Sequence, residues 1–224
     1  MPNACFFPTG EIILLMGFLE DKKRARIFYK YLSIIYDTIN PLFWTVSMRE
    51  TALDLFNITP TDMILDVGCG TGFGTEGLLN RTKNIYGLDQ SIHQLNKAHK
   101  KFSTLHPLPL CLGVAENLPF SDDTFDAAWS SGSIEYWPNP IETLSEIRRT
   151  VKPGGKVLIV GPNKPKGILA RTLATSLMLF YNQSEADHLF TSAGFENIKH
   201  IILKAHIGSP PAIVTLATVP SSKK

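Results

Sequence analysis

The segment Asp66-Val67-Gly68-Cys69-Gly70-Thr71-Gly72 constrains the fold of this chain more than any other stretch. It closes a short apolar run that predicts a buried strand, and its three glycines are spaced two residues apart. Glycine permits positive φ and lets a ligand lie directly on the main chain. We therefore predict a tight turn from a strand into a helix, whose first N–H groups favour an anionic or electron-rich ligand.

A second acidic residue lies at the end of the next predicted strand. Asp89 closes the run Ile85-Tyr86-Gly87-Leu88-Asp89, seventeen residues after Gly72. An acid at this distance from a glycine turn is placed to accept hydrogen bonds from the two hydroxyls of a ribose. A glycine turn alone could be purely structural. The glycines, the acid and the strand–helix–strand context together predict a nucleoside-binding site.

Apolar strands alternate with amphipathic helices along the remaining chain. This order predicts an α/β, Rossmann-like fold: a mostly parallel seven-stranded sheet, an antiparallel edge strand from a closing hairpin, and helices on both faces. We predict that Ser184 caps a late helix that Gly194 ends. The later strands are expected at residues 108–113, 125–130, 156–160, 195–203 and 212–219, with a turn at 153–155 before the third of these.

We divide the chain into three parts. Residues 1–20 are expected to form an arm, and residues 21–57 a helical unit that either covers the ligand pocket as a lid or packs on the core. Residues 58–224 form the domain with the nucleoside site, with a helical insert at about 165–182. The apolar run of this insert, Ile168 to Tyr181, is too short to span a bilayer.

Charge and cysteine content narrow the function classes. The net charge of the 224 residues is +2, so no long-range field favours nucleic acid as a partner. Three cysteines without a Cys-x-x-Cys pair fit a reducing cytoplasm and no metal site. The basic run Lys22, Lys23, Arg24 and Arg26 is either a peripheral membrane contact or a solvated helix end. The oligomeric state does not follow from the sequence.

The pattern Asp-x-Gly-x-Gly-x-Gly resembles the class I S-adenosylmethionine-dependent methyltransferases, whereas a dinucleotide fold would show Gly-x-Gly-x-x-Gly. The resemblance implies S-adenosylmethionine as the cofactor, with the glycine turn against its methionine part and Asp89 on its ribose. The cofactor-binding residues that it implies are Asp66, Gly68, Cys69, Gly70, Gly72, Asp89, Gln90, Ala115, Glu116 and Ser131.

Further segments resemble the 2-methyl-6-phytyl-1,4-hydroquinone methyltransferases over residues 25–219. The most specific is Ser133-Ile134-Glu135-Tyr136-Trp137-Pro138. This resemblance implies methylation on a ring carbon of a prenylated hydroquinone, a precursor of the tocopherol, plastoquinone or menaquinone type. Plant members carry transit and anchor segments that are not seen in this sequence, so a demethylmenaquinol is an alternative acceptor. Many relatives carry an aspartate where this chain has Val114, which cannot accept a hydrogen bond from adenine. The adenine would then be held by the Ala115 backbone, by Glu116 or by apolar packing.

Candidate catalytic and substrate residues follow from their places in the chain. A general base near a quinol hydroxyl would raise electron density at the attacking ring carbon. The candidates are His93, Glu135 and Tyr136, although His93 could be a surface residue and Glu135 structural. The candidates for substrate contacts are Tyr36, Trp137, Met178 and Phe180, with core packing as the alternative for the last three. Other functions left open are methylation of another small molecule or a protein, and cofactor binding without turnover, which Val114 would favour.

Overall fold

The computed structural model describes residues 44–103, 107–164, 181–207 and 209–222. Its seven strands are β1 Ile64–Val67, β2 Ile85–Asp89, β3 Leu110–Leu112, β4 Phe125–Ser131, β5 Val151–Pro162, β6 Glu196–Leu203 and β7 Ala212–Thr218. They form one sheet in the order β3-β2-β1-β4-β5-β7-β6. Strands β1 to β5 are parallel, and β7 is antiparallel to both β5 and β6. The predicted fold class and the closing β6–β7 hairpin are confirmed.

Helices cover both faces of this sheet. They are α1 Val46–Phe56, α2 Phe73–Leu79, α3 Ile92–Phe102, α4 Pro140–Thr150 and α5 Gln183–Ser192, with a 3₁₀ turn at Ile134–Tyr136. One core lies beneath α4 and α5 and includes Leu65 and Val67 of β1. The other lies beneath α1, α2 and α3 and includes Ile64 of the same strand. The alternation of side chains along β1 therefore divides the apolar residues between two cores.

Helix α1 is part of the second core. Thr45 caps it, since its hydroxyl accepts a hydrogen bond from the Met48 N–H at 3.3 Å. Arg49 is 4% exposed and donates from Nη1 to the Phe73 carbonyl at 2.8 Å, while its guanidinium lies 4.7 Å from the Phe73 ring centroid. The described portion of the predicted lid is thus packed on the helix that begins at the glycine turn. Residues 21–43, the remainder of that unit, lie outside the described residues.

Two predicted boundaries were wrong. Helix α5 is capped by Asn182, not Ser184: the Asn182 side chain accepts from the Glu185 N–H, and the Glu185 carboxylate accepts from the Asn182 N–H. This reciprocal capping box satisfies two N–H groups, whereas Ser184 lies inside the first turn. Strand β5, predicted to begin at residue 156, begins at Val151. The predicted turn at 153–155 lies within it, where Gly154 has φ +78° and the pairing with β4 shifts between Phe125–Val151 and Ala127–Lys156.

The strand order creates the crevice in which ligands of such sheets bind. The chain runs outward from β1 to β3 and then crosses back to β4, so the order reverses between β1 and β4. Open α/β sheets bind ligands at the carboxyl ends of the strands at this point. The glycine turn follows β1 and the segment from Gly132 to Trp137 follows β4, so both border the crevice. Within the described part of the chain, no helix is both long enough and apolar enough to cross a membrane.

Candidate cofactor and acceptor site

The three glycines of the turn all have positive φ but differ in their surroundings. A Cβ on Gly68 would lie 2.2 Å from Ser133 Oγ, and one on Gly72 would lie 2.3 Å from the Phe102 ring. A Cβ on Gly70 would meet no described protein atom within 4 Å. Gly68 and Gly72 therefore permit close packing of the protein itself. Gly70 faces open space, which is the place for a ligand against the main chain.

Asp89 closes the turn from the side of β2. Its Oδ2 accepts from the Gly70 N–H at 2.8 Å, and its Oδ1 accepts from the Ser91 N–H at 2.8 Å. The residue is 9% exposed, and burial raises the pKa of its carboxyl while the two N–H groups lower it. Each carboxylate oxygen can accept more than one hydrogen bond. The carboxylate is thus held rigidly and keeps acceptor capacity for ribose hydroxyls.

Asp66 lies at the other side of the turn, on β1. It is 1% exposed, and its Oδ2 accepts from the Thr75 hydroxyl at 2.6 Å. Burial raises the pKa of its carboxyl to about 7, the Thr75 hydrogen bond lowers it, and the charge of Asp89 raises it further. Among the described residues neither Asp66 nor Asp89 has an ion-pair partner. Two buried, uncompensated carboxyls favour a cationic ligand.

Cys69 contributes through its backbone. Its N–H, like that of Gly68, donates to the Leu88 carbonyl, at 3.0 and 2.7 Å respectively, which ties the turn to β2. The residue is 6% exposed, and its sulfur would lie 3.0 Å from a Cβ on Gly87. Burial, together with the charges of Asp66 and Asp89, raises the pKa of the thiol. The side chain is therefore a neutral packing group.

The loop after β4 forms the second wall. Ser133 lies against Gly68, and its Oγ accepts from the Trp137 indole N–H at 3.0 Å. Ser131, a predicted cofactor contact, is half-buried, with its Oγ 3.3 Å from the position of a Cβ on Gly74 in α2. These contacts bring the carboxyl ends of β1 and β4 together around the glycine turn. Ser133 was not among the predicted cofactor contacts, because its packing against Gly68 depends on the pairing of β1 with β4 and not on a local pattern.

The loop after β3 lies beside Asp89. The Gly113 N–H donates to the Asp89 carbonyl at 3.1 Å, and the Asn117 N–H donates to the Val114 carbonyl at 3.3 Å. Ala115 is buried and Glu116 half-buried in this turn, whereas Gln90 is exposed. The loop therefore lies beside Asp89, and the adenine contacts expected of Ala115 and Glu116 stay predictions. Val114 has only an apolar side chain to offer such a ring.

Two exposed apolar side chains flank the same position and were not predicted. Leu112 pairs with Asp89 across β2 and β3 and is 51% exposed. Ile92, in the first turn of α3 after the Ser91 cap, is 54% exposed. A purine ring binds favourably between apolar surfaces of this kind. Neither residue could be identified as a ligand contact from the sequence, because an isolated aliphatic residue is usually assigned to the core.

The candidate catalytic residues have different surroundings. His93 is exposed on the first turn of α3. Tyr136 is half-buried in the 3₁₀ turn, and Glu135 beside it is 8% exposed. Burial raises the pKa of the Glu135 carboxyl to about 7, and its own backbone N–H lowers it by less. Of the three, Glu135 alone combines burial with a pKa suited to proton transfer near neutral pH.

The candidate substrate contacts are only partly described. Trp137 is 4% exposed and packs in the core beneath α4 and α5. Tyr36, Met178 and Phe180 lie outside the described residues, as does most of the predicted insert. Tyr181, predicted to end the helix of that insert, instead bridges to Asn163 beyond β5. The substrate roles of all four candidates stay predictions.

Comparison with known proteins connects this geometry to a family. Residues 65–159 match the family model described as a methyltransferase domain. The rice protein named 2-methyl-6-phytyl-1,4-hydroquinone methyltransferase 2, chloroplastic, is 43% identical over 186 residues, which are 81% of this chain and 53% of the rice protein. This chain contains a class I methyltransferase domain. The match begins at β1 and ends in β5, so it includes the glycine turn, Asp89 and Glu135.

The chain is also similar to a second methyltransferase sequence and to a solved methyltransferase structure. A demethylmenaquinone methyltransferase of Bacillus licheniformis is 35% identical over 121 residues, 53% of this chain and 52% of that protein. The chain thus spans about half the length of these curated relatives. A solved Haemonchus contortus phosphoethanolamine N-methyltransferase 2, with phosphomonomethylethanolamine and S-adenosylhomocysteine, aligns with a TM-score of 0.72 at 16% identity, over 91% of this chain and 59% of that one. The methyltransferase domain therefore has the fold that the glycine pattern predicted.

Proposed function

We propose that this protein transfers the methyl group of S-adenosylmethionine to a ring carbon of a prenylated hydroquinone. The observation that carries the first half is the pair of buried carboxyls around Gly70, Asp66 and Asp89, without ion-pair partners among the described residues. S-adenosylmethionine brings a sulfonium and an ammonium charge to such a site, together with a ribose for Asp89. When bound, it supplies the electrophilic methyl group.

The residues of this chain hold and orient the two reactants. Asp89, fixed by the Gly70 and Ser91 N–H groups, accepts from the ribose hydroxyls. Gly70 leaves room for the ligand on the main chain, and the Ser131–Trp137 segment separates the glycine turn from the end of β5. Methyl transfer requires an in-line approach of the two reacting atoms, for which rigid positioning supplies much of the rate. The acceptor then lies over the carboxyl ends of β4 and β5.

The acceptor class is supported by the named relatives and by the sequence of the insert. The rice relative at 43% identity is named for a phytyl hydroquinone, and the Bacillus licheniformis relative for demethylmenaquinone. Both names describe a quinoid ring that carries a long apolar chain. The run from Ile168 to Tyr181 is apolar in sequence, as a tail-binding segment would be. Peripheral membrane contact through the basic cluster at residues 22–26 belongs to the same proposal, because the tailed acceptor would reside in lipid.

A labelled-methyl assay with matched acceptors tests this proposal. The protein is incubated with S-adenosylmethionine and one of three acceptors: a prenylated hydroquinone, the same ring without its tail, or a polar phenol. If only three carbons of the tail are buried, at about 0.8 kcal/mol each, kcat/KM for the tailed quinol should exceed that for the tailless ring roughly fiftyfold. We expect at least this preference for the tailed quinol. Equal turnover of all three, or turnover of the polar phenol alone, would contradict the prenylquinol assignment.

A pair of lysine variants tests the tail-binding role of the insert. Met178→Lys should raise KM for the tailed quinol and leave the tailless ring and cofactor affinity nearly unchanged. Ile202→Lys is the matched control, because Ile202 is a partly exposed apolar residue on the edge strand β6. Ile202→Lys should leave the KM for the tailed quinol, the KM for the tailless ring and the cofactor affinity unchanged. Equal loss on both acceptors in Met178→Lys would show that the insert is structural only.

A further inference from the structure

Glu135 presents an unsatisfied carboxyl oxygen beside the end of β5. Its Oε2 is buried and has no hydrogen-bond partner among the described residues. The same oxygen would lie 4.0 Å from a Cβ on Gly161, which places it beside the end of β5, where Ile134 packs against the glycine. A buried polar atom without a partner is rare in folded proteins and calls for an explanation, such as a ligand that satisfies it.

Tyr181 presents a second unsatisfied group near the end of β5. Its hydroxyl is buried and, within the described ranges, also has no hydrogen-bond partner. The residue is fixed by its backbone: its carbonyl accepts from the Lys164 N–H at 3.1 Å, and it bridges to Asn163 just beyond β5. Burial raises the pKa of its phenol, and the charges of Glu135 and Glu185 raise it further. The Tyr181 N–H also donates at 3.5 Å to the carbonyl of Pro162, the residue after Gly161, so Tyr181 and Glu135 both lie at the end of β5. The two side chains are not hydrogen-bonded to each other.

The two groups are complementary to one phenolic hydroxyl. A carboxylate only accepts hydrogen bonds, whereas a tyrosine with a raised pKa keeps its proton and donates. A phenolic hydroxyl between them would donate to Glu135 and accept from Tyr181, which satisfies both buried groups. Resting on the function proposed above, we infer that Glu135 and Tyr181 together bind one hydroxyl of the acceptor ring, with Glu135 removing its proton and Tyr181 stabilising the resulting oxyanion.

The chemical step then balances as follows. The O–H bond of the quinol breaks, its proton moves to Glu135, and its electron pair increases the electron density of the ring. A ring carbon forms a bond to the methyl group as the carbon–sulfur bond breaks, and that electron pair stays on sulfur. The proton on the methylated carbon leaves to solvent, which restores the aromatic ring, and Glu135 returns its proton to the oxygen. The net products are the thioether, the methylated quinol and one proton.

The charges that face Glu135 do not neutralise it. The 3₁₀ turn packs on β5, and the titratable groups near the end of that strand include Tyr181, Lys164 and Glu185 of α5, with Asp66 and Asp89 across the glycine turn. Lys164 and Glu185 pair with each other. Because burial raises the pKa of Glu135 to about 7, the fraction of competent carboxylate increases between about pH 6 and 8. The rate of methyl transfer should rise over the same interval.

Two site variants and two control variants test this inference in the full chain. Glu135→Gln keeps the shape of the side chain but cannot take a proton, and general-base catalysis typically contributes roughly 100-fold to 10,000-fold. We expect kcat on the tailed quinol to fall at least 100-fold, and its rise with pH to vanish. Tyr181→Phe should lower kcat about tenfold and keep the rise. Glu196→Gln, exposed at the start of β6, and Tyr86→Phe, packed against Phe120 and Phe125, are the matched controls and should behave as wild type.

Cofactor affinity separates a catalytic role from a structural one. Both site variants should bind S-adenosylmethionine with wild-type affinity in calorimetry, and Glu135→Asp should recover part of the pH-dependent rate. If the wild-type protein methylates a tailed quinol but Glu135→Gln keeps its rate and pH profile, the inference is refuted and the proposed function stands. If wild type methylates no quinol, the proposed function fails and this inference fails with it. Loss of cofactor affinity in both site variants would assign the pair a structural role instead.

Discussion

The substitution Gly70→Ala separates a ligand-facing glycine from a packing glycine. Gly70 has φ +55°, so an alanine there carries the strain of a left-handed backbone, about 1–2 kcal/mol. Its Cβ would meet no described protein atom within 4 Å, so we expect no further loss of stability. The new methyl group would occupy the space in which we place the cofactor. The affinity for S-adenosylmethionine should therefore fall at least tenfold while the fold persists.

Gly194→Ala is the matched control for this strain. Gly194 has φ +81° and follows helix α5, and a Cβ there would approach only the Arg148 side chain, at 3.3 Å. Urea unfolding should show a similar loss of about 1–2 kcal/mol for both variants. Calorimetry with S-adenosylmethionine should then distinguish them, with wild-type affinity in Gly194→Ala only. Equal cofactor affinity in the two variants would refute the assignment of the space at Gly70 to the ligand.

Three further predictions follow from individual side chains. Asp89→Asn replaces an accepting oxygen by an NH₂ group that faces an N–H donor. Calorimetry should show a roughly tenfold to hundredfold loss of cofactor affinity, worth about 1.5–3 kcal/mol, and the circular dichroism spectrum should be unchanged. In the cofactor-free protein, the raised pKa of Glu135 means that stability falls as pH rises from about 4.5 to 7. Urea unfolding of Glu135→Gln should thus show a gain over wild type that is roughly 2–3 kcal/mol larger at pH 8 than at pH 5. An equal gain at both pH values would contradict the burial of an ionisable group there. Val114→Asp should tighten binding of S-adenosylmethionine or leave it unchanged, and dissociation constants should be compared with those for an analogue without the adenine amino group. If the variant shows no preference for the intact adenine, Val114 does not lie at the edge of the adenine.

The elements that the sequence predicted well are those whose signals are local. The glycine spacing, the acid that ends β2 and the alternation of strands and helices each depend on a few neighbouring residues. They correctly placed the turn after β1, Asp89 beside it and the class of the fold. The cap of α5 was missed although its signal was also local, because Asn182 and Glu185 form a capping box that Ser184 obscured.

The contacts that the sequence could not predict join residues far apart in the chain. The approach of Ser133 to Gly68 depends on the adjacency of β1 and β4. The proximity of Tyr181 to Glu135 depends on the path of the chain beyond β5. Burial of Asp66 and Glu135, which changes their chemistry, is likewise a property of the packed sheet. A pattern in the sequence identifies candidate groups, and the strand order decides which of them meet.

The position of the transferred carbon in the product tests the central claim most directly. The protein is incubated with S-adenosylmethionine carrying a ¹³C-labelled methyl group and a prenylated hydroquinone, and the product is analysed by carbon NMR. We predict that the label appears as a methyl group on a ring carbon, with both hydroxyls free. A label on oxygen, or no transfer by protein shown to bind the cofactor, would contradict the account.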